Sequence, residues 1–254
     1  MALCKVGVQL HPQHCSVGDL RQAWEAADAM GVDSIWTWDH FYPLYGDPDG
    51  AHFEGWSLLA AMAVTTTQAR FGALVTCNSY RNPELLADMA RTVDHLSHGR
   101  LILGIGAGWF ERDYAEYGYE FGTPASRLRA LGEALPRIKA RLGKLNPAAA
   151  GPLPILIGGG GEKVTLRLVA EHASMWNGFG RPVEQFAHKN RVLDDWCHKV
   201  GRNPAEVERT VTVGDDAVEN LDALIEAGAQ HLIVDVAAPF DLKPVQRLLE
   251  AVNG

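Results

Sequence analysis

Residues 154–171 read PILIGGGGEKVTLRLVAE and hold one strand–turn–helix unit. The apolar run 154–157 is typical of a buried parallel strand, and four glycines separate it from an amphipathic helix at 163–171. The same alternation recurs through all 254 residues and predicts eight β/α units of about 32 residues each. Eight units with right-handed crossovers predict an α/β fold, a TIM (β/α)8 barrel that forms one domain over residues 1–254.

The remaining units lie on both sides of this stretch. The other predicted strands are 3–10, 34–38, 71–76, 101–105, 174–176, 210–213 and 231–236, and the helices between them include 19–30, 56–66, 127–142, 183–200, 217–227 and 242–252. Barrel closure requires the first strand to pair with the last. The alternative is a doubly wound open sheet, which more often has a GxGxxG turn after its first strand; here that strand ends in Leu10, His11 and Pro12.

Composition limits the classes of partner. Hydrophobic residues make up 47% of the chain, which excludes intrinsic disorder. The 23 Lys and Arg against 31 Asp and Glu give a net charge of −8, so nucleic acid and anionic membranes are not the expected partners. No apolar run approaches the roughly 18 residues of a membrane helix. Four scattered cysteines without a CxxC pair predict no structural metal site and indicate reduced thiols in a cytoplasmic protein.

Candidate chemistry follows the strand ends, because TIM-barrel sites lie at the carboxyl ends of the strands. The second strand ends in Asp39 and His40, where an imidazole that titrates near neutral pH can transfer a proton at the barrel mouth. The alternative for His40 is a loop histidine that is hydrogen-bonded to the backbone. No Ser-His-Asp arrangement or metal-spaced cluster is evident.

The glycine run is the candidate anion site. Four glycines allow close approach of backbone N–H groups, and the following helix N-terminus and Lys163 add positive charge. Asn177 and Gly178, after the next strand, would form a second wall. The alternative is a flexible connection without a ligand, and the run matches neither a Walker loop nor the dinucleotide fingerprint.

Aromatic residues near the mouth are candidates for substrate contact. Trp38 and Trp56 would flank a flat ring or pack in the core and rim. Glu54 would face the pocket or favour the N-terminus of the second helix.

Six motifs in order resemble the bacterial luciferase-like monooxygenase family, and within it the deazaflavin (coenzyme F420)-dependent oxidoreductases. They are SIWTWDH at 34–40, HFEGW at 52–56, LVTCNSYRNP at 74–83, LSHGRLILGIGAGW at 96–109, PILIGGGGEK at 154–163 and ASMWNG at 173–178.

The resemblance implies a flavin or deazaflavin bound at the barrel mouth. It implies a non-prolyl cis peptide at the end of strand three, at Leu74–Val75 or one residue later, with Asp39 contacting the ring and His40 as acid/base. It also implies phosphate binding at the glycine loop and a homodimer through the second and third helices. The predicted cofactor-binding set is Asp39, Val75, Thr76, Cys77, Asn78, Gly106, Gly108, Trp109, Gly158, Gly159, Gly160, Gly161, Lys163, Asn177 and Gly178.

The chain departs from the family in its loops. The long insertion that often covers the site around strand seven is shortened to two or three residues after Val213. A carboxylate that some deazaflavin sugar-phosphate dehydrogenases carry after the fourth strand is replaced by Trp109.

The expected function is hydride transfer between coenzyme F420 and a small organic molecule. Three alternatives stay open. They are an FMN-dependent monooxygenase, a non-catalytic flavin- or deazaflavin-binding protein, and a hydrolase-type barrel that uses His40.

Overall fold

Nine parallel strands form a closed barrel in the computed structural model, which describes residues 3–254. The strands are β1 (Lys5–Leu10), β2 (Ser34–Thr37), β3 (Arg70–Ala73), β4 (Thr76–Cys77), β5 (Leu101–Gly106), β6 (Ile155–Gly158), β7 (Met175–Phe179), β8 (Glu208–Val213) and β9 (His231–Val236). The first and last strands pair in parallel from Lys5–His231 to Leu10–Val236. This pairing confirms the TIM barrel and excludes the open sheet.

The barrel has eight strand positions, here called staves, and the third of them consists of two short strands. The sequence predicts one strand over 71–76, but β3 and β4 are separated at Leu74–Val75, where the peptide bond is cis. Both halves pair with β5, so the stave remains part of the barrel. The barrel therefore has eight staves, and the cis bond lies where the family resemblance implies it.

Helices surround the barrel. They are α1 (Val17–Met30), α2 (Gly55–Thr65), α3 (Pro83–Leu96), α4 (Glu111–Tyr117), α5 (Pro124–Leu142), α6 (Thr165–His172), α7 (Val183–Lys199), α8 (Leu221–Glu226) and α9 (Lys243–Asn253), with short 3-10 turns at Asn78–Tyr80 and Pro204–Glu206. Ser16 and Asp19 form a capping box on α1, and Gly31 closes that helix at a φ of 85°. Pro83 lies in the first turn of α3, as predicted.

Two predictions around the site are wrong in detail. The sequence did not predict α4, which begins two residues after Trp109. The helix expected from residue 217 begins at Leu221, so the connection after β8 is longer than predicted. Both segments follow strand ends, and periodicity reads such short connections poorly.

The core has two parts, as the barrel geometry requires. The larger cluster lies between the strands and the helices and includes Leu59, Phe71 and Leu248, all fully buried. A smaller cluster fills the barrel interior with Trp36, Ile102, Leu156, Met175 and Ile233. The interior is therefore a packed core, and any ligand must bind at an end of the barrel.

Candidate active site

A cavity of about 410 Å³ lies at the carboxyl ends of the strands, and every stave contributes to it. It contains many of the residues that the sequence predicts: Trp38, Asp39, His40, Val75, Thr76, Cys77, Gly106, Gly108, Trp109, Gly158, Gly159 and Asn177. It also contains Gln9, Leu44, Tyr45, Leu74, Ala107, Thr165, Phe179, Thr212 and Asp235, which the predicted set omits. A more open cavity of about 630 Å³ between α1 and the segment after β9 has no barrel-mouth group and is not the candidate site.

Other predicted residues lie outside this cavity. Gly178 is buried against the rings of Trp176 and Phe186. Asn78 is buried in the 3-10 turn after β4, and Trp56 is buried in the first turn of α2. The remaining predicted residues that do not line the cavity are Glu54, Gly160, Gly161 and Lys163.

His40 lines the cavity and is held by a buried carboxylate. Its Nδ1 lies 2.8 Å from Oδ2 of Asp113, whose side chain is fully buried. An ionised carboxylate only accepts hydrogen bonds, so Nδ1 carries the proton that it donates. Nε2 is then the nitrogen that is available to the cavity.

Asp113 is the functional residue that sequence reasoning missed. It lies in the first turn of α4 and also accepts hydrogen bonds from the Phe41 and Tyr42 amides and from the Tyr80 hydroxyl, at 2.8–3.2 Å. The available signal was an acidic residue shortly after the fourth predicted strand end. The sequence pattern predicts no element between Trp109 and residue 127, so it gives this residue no position relative to His40.

Asp39 does not orient His40. Its carboxylate accepts two hydrogen bonds from Arg81, at 2.6 and 2.9 Å, and one from the Cys77 amide at 3.0 Å. Burial raises the pKa of Asp39, while Arg81 opposes that change. Arg81 also donates to Glu54 at 2.8 Å, and Glu54 caps α2 through the Trp56 and Ser57 amides. Glu54 therefore belongs to an ion network behind the cavity wall.

Val75 forms a bulge into the cavity, and two glycines make room for it. A Cβ atom on Gly106 would lie 2.7 Å from Cγ2 of Val75, and one on Gly158 would lie 2.9 Å from its Cγ1. Real Cβ atoms do not approach other atoms so closely. These glycines therefore allow Val75 its position at the cavity wall.

The residues after the bulge differ in their chemistry. Thr76 Oγ1 is buried and has no hydrogen-bond partner within residues 3–254. Cys77 Sγ lies 3.2 Å from the Tyr114 hydroxyl, and burial raises the pKa of both groups. Cys77 is thus a protonated thiol in this environment and not a nucleophile.

The glycine loop runs from the cavity wall to α6. Gly158, Gly159 and Thr165 line the cavity, whereas Gly161 and Lys163 are exposed. The N-cap residue of α6, Val164, supplies no capping side-chain hydrogen bond. The N-terminus of α6 therefore keeps backbone N–H groups that a ligand can satisfy.

A second histidine–carboxylate pair lies on the β1–β9 side of the mouth. His11 Nε2 lies 2.5 Å from Oδ1 of Asp235, and the His11 ring lies 4.3 Å from the Trp38 ring. Trp38 Nε1 donates to His52 Nε2 at 2.9 Å. Burial is the main reason that the pKa of His52 falls to about 4, which keeps this histidine a neutral acceptor.

Residues 3–254 lack two kinds of feature. They contain no group of three or more His, Cys, Asp or Glu side chains that could hold a metal ion. None of their helices combines the length and the apolar character that a membrane crossing requires.

Curated relatives that resemble part of the chain include F420-dependent enzymes. The F420-dependent glucose-6-phosphate dehydrogenase of Amycolatopsis mediterranei (strain U-32) is 31% identical over 140 residues, which is 54% of this chain and 41% of that enzyme. An uncharacterised protein of Mycobacterium tuberculosis (strain ATCC 25618 / H37Rv) is 28% identical over 176 residues, or 61% of this chain and 62% of that protein. The chain thus spans about two fifths to three fifths of these relatives' length.

Solved structures share the fold along nearly the whole chain. An F420-dependent secondary alcohol dehydrogenase, solved with an F420–acetone adduct, has a TM-score of 0.85 at 15% identity and covers 98% of this chain and 99% of its own. The FMN-bound oxygenating constituent of 3,6-diketocamphane monooxygenase of Pseudomonas putida has a TM-score of 0.78 at 15% identity, with 99% and 97% covered.

The family model described as luciferase-like monooxygenase matches residues 1–240. Proteins named as F420-dependent are among both the curated relatives and the structural neighbours. The match covers nearly the whole chain, and the closed barrel with its divided third stave and its cavity at the carboxyl end agrees with it. The chain therefore belongs to the luciferase-like monooxygenase family.

Proposed function

We propose that this protein is an oxidoreductase that transfers a hydride between bound coenzyme F420 and a small organic substrate. The observation that carries the proposal is the His40–Asp113 pair on the wall of a cavity built around the Val75 bulge. The F420-dependent dehydrogenases among its relatives and structural neighbours support the choice of cofactor.

The cavity suits a flat ring with polar edges. Val75 and Leu74 give an apolar surface at the bulge, and Trp38 adds an aromatic face. Gln9, Asn177 and Thr212 also line the cavity and place polar groups at its edge. A volume of about 410 Å³ lies within the range of small-molecule sites.

The glycine loop suits the anionic tail of the cofactor. Gly158 and Gly159 reach the cavity, and the loop then passes to the uncapped N-terminus of α6. Positive partial charge at a helix N-terminus favours phosphate. Lys163 is exposed beside this loop and adds a cation near the tail.

His40 is proposed to exchange a proton with the substrate through Nε2. The bound cofactor would supply hydride chemistry, and the protein would supply position and proton transfer. Asp113 fixes the tautomer, because its carboxylate accepts the Nδ1 proton. Trp38, Trp109 and Phe110 contact the imidazole edge to face at 5.5–6.1 Å, which limits water around it and fixes its ring plane.

We propose that Asp39 holds the cavity wall beside the cofactor in place and does not transfer protons. Its carboxylate holds Arg81 and the Cys77 amide, so it fixes the strand that follows the bulge. Its charge is balanced by Arg81, which leaves His40 as the proton-transfer group on this side of the cavity.

An FMN-dependent monooxygenase is the second candidate. The FMN-bound oxygenating constituent from Pseudomonas putida has the same fold over 99% of this chain. The same bulge and loop would accept either tricyclic ring, so geometry alone favours neither cofactor.

Cofactor titration followed by turnover tests the proposal. Purified protein is titrated separately with F420 and FMN, and binding is followed by absorbance and fluorescence. We expect saturable F420 binding that is tighter than FMN binding, and reduction of bound F420 by an alcohol panel or its oxidation by the matching carbonyls. Tighter FMN binding with oxygen-dependent product formation would favour the monooxygenase. Binding without turnover in either assay would instead indicate a non-catalytic carrier.

A further inference from the structure

The charged groups that line the cavity are acidic or histidine. No Lys or Arg is among the lining residues of the described chain; the carboxylate and imidazole side chains there are Asp39, His40 and Asp235. Arg81 neutralises Asp39 from behind the wall. Asp235 has no such cation and is the uncompensated charge of the cavity.

Asp235 is both exposed and fixed in place. It lies on β9 opposite Gln9 of β1, and Gln9 donates to the Leu74 carbonyl at the bulge. Its side chain is 37% exposed, and within residues 3–254 only His11 donates to it. Asp235 therefore lines the cavity with a partly exposed carboxylate, of which Oδ2 takes no hydrogen bond within residues 3–254.

His11 donates its hydrogen bond to Asp235 from a buried position. His11 is 6% exposed, and its Nδ1 is buried without a partner among the described residues. Protonation of His11 would bury a second N–H that has no acceptor, which is costly. The hydrogen-bond geometry therefore favours the tautomer of His11 that donates from Nε2 to Asp235.

Two aromatic rings contact the histidine that donates to this carboxylate. Tyr45 and Trp38 both contact His11, with ring centroids 6.2 and 4.3 Å away, and both line the cavity. Phe179, whose side chain is 71% exposed, and Trp109 also line the cavity. A carboxylate beside aromatic faces is a typical environment for an organic cation, because both attract positive charge.

We propose that the cavity takes a substrate with a positively charged group, a protonated amine, and that Asp235 selects it. This inference rests on the proposed function for the reaction itself, while the charge selection rests on the cavity alone. A substrate phosphate or carboxylate placed beside Asp235, away from the glycine loop, would be repelled with no lining Lys or Arg to offset the repulsion. We therefore expect this chain to reject sugar phosphates, although a 31% identical relative is a glucose-6-phosphate dehydrogenase.

Three probes of one size and different charge test the selection. Benzylamine, benzyl alcohol and benzoate are cationic, neutral and anionic at about pH 7. Their dissociation constants are measured by ligand-detected NMR on the protein alone and on the protein saturated with F420. Benzylamine should bind about fivefold to tenfold more tightly than benzyl alcohol, and benzoate most weakly. The difference should shrink in high salt.

Two variants assign the effect to one carboxylate. Asp235→Asn keeps an oxygen acceptor for His11 and should remove the preference for benzylamine. Asp195→Asn makes the same charge change at an exposed position of α7 outside the cavity and should leave the preference intact. Equal binding of the three probes, or a benzylamine preference that survives Asp235→Asn, overturns the proposal. The proposal is also overturned if Asp235→Asn changes the affinity for F420 but not the binding of the three probes. A failure of the proposed function would show in the F420 titration, whereas the probe measurements on the free protein would still stand.

Discussion

His40 and Asp113 show how one residue pair defines the chemistry that a cavity can perform. The imidazole alone could serve as a structural side chain in a loop. The buried Asp113 fixes its tautomer and directs Nε2 toward the cavity. Proton transfer then requires no movement of the side chain.

His40→Ala should lower turnover by roughly 10²–10⁴-fold, because a positioned general acid or base contributes that much. Cofactor affinity should change far less, since the proposed phosphate contacts lie on the β6–α6 loop. Turnover, F420 affinity and melting temperature are measured on one preparation, with a pH–rate profile. His198→Ala, an exposed histidine of α7, is the control. Near-normal turnover of His40→Ala would remove the acid/base assignment.

At the scale of elements, the glycine loop and the split third stave were predicted with different success. The glycine run was visible in the sequence, and its path to the α6 N-terminus agrees with the expected strand–helix context. The separation of β3 from β4 could not come from periodicity, because residues 71–76 are a continuous apolar and β-branched run. Only the family resemblance pointed to the cis bond.

Gly160→Asp should weaken F420 binding by at least about 1–3 kcal/mol, because the added carboxylate would repel the cofactor phosphate that is proposed to lie nearby. A Cβ at this position meets only Lys189 side-chain carbons at 3.7–3.9 Å, so the fold should tolerate the change. Gly160→Ala adds the same Cβ without charge and should bind F420 nearly normally. Fluorescence titration measures the affinity, and circular dichroism checks folding. Unchanged F420 affinity in a folded Gly160→Asp protein would place the phosphate elsewhere.

At the scale of the whole molecule, side-chain hydrogen bonds link the first and last strands at the amino-terminal end of the barrel. Lys5 of β1 and His231 of β9 both hydrogen-bond Glu208 of β8, at 2.7 and 3.0 Å. His231 Nε2 also lies 2.8 Å from Ser34 Oγ of β2. Burial opposes ionisation of Glu208, but the hydrogen bonds from His231 and Lys5 outweigh it and lower its pKa to about 2.

Glu208→Gln should reduce the free energy of unfolding at neutral pH by roughly 2–3 kcal/mol. The folded-state pKa of Glu208 lies below its ordinary value of 4.5, so its stabilisation is full above that pH and is lost as the pH falls toward about 2. Urea unfolding at neutral pH and at stepwise lower pH should therefore show a difference that shrinks in acid. Glu206→Gln, on an exposed side chain of the neighbouring 3-10 turn, is the control. A difference that stays constant in acid would contradict the role of ionised Glu208.

Oligomeric state also belongs to this scale. Val64 of α2 and Leu85 and Leu96 of α3 are exposed apolar residues on the two helices that the resemblance assigns to a dimer. The homodimer stays a prediction, as do the cytoplasmic location and the single-domain organisation.

The sequence by itself determined the barrel and the region of the site. Local hydrophobic periodicity and turn residues are encoded along the chain, so the strand–helix alternation was readable, and the strand ends then located His40, the bulge and the glycine loop. Tertiary structure alone decided the partners of these groups. Asp113 lies 73 positions from His40, Arg81 lies 42 from Asp39, and Asp235 lies 224 from His11. Such contacts depend on how the closed barrel brings distant strand ends to one mouth, and no local pattern in the chain records which side chains meet there.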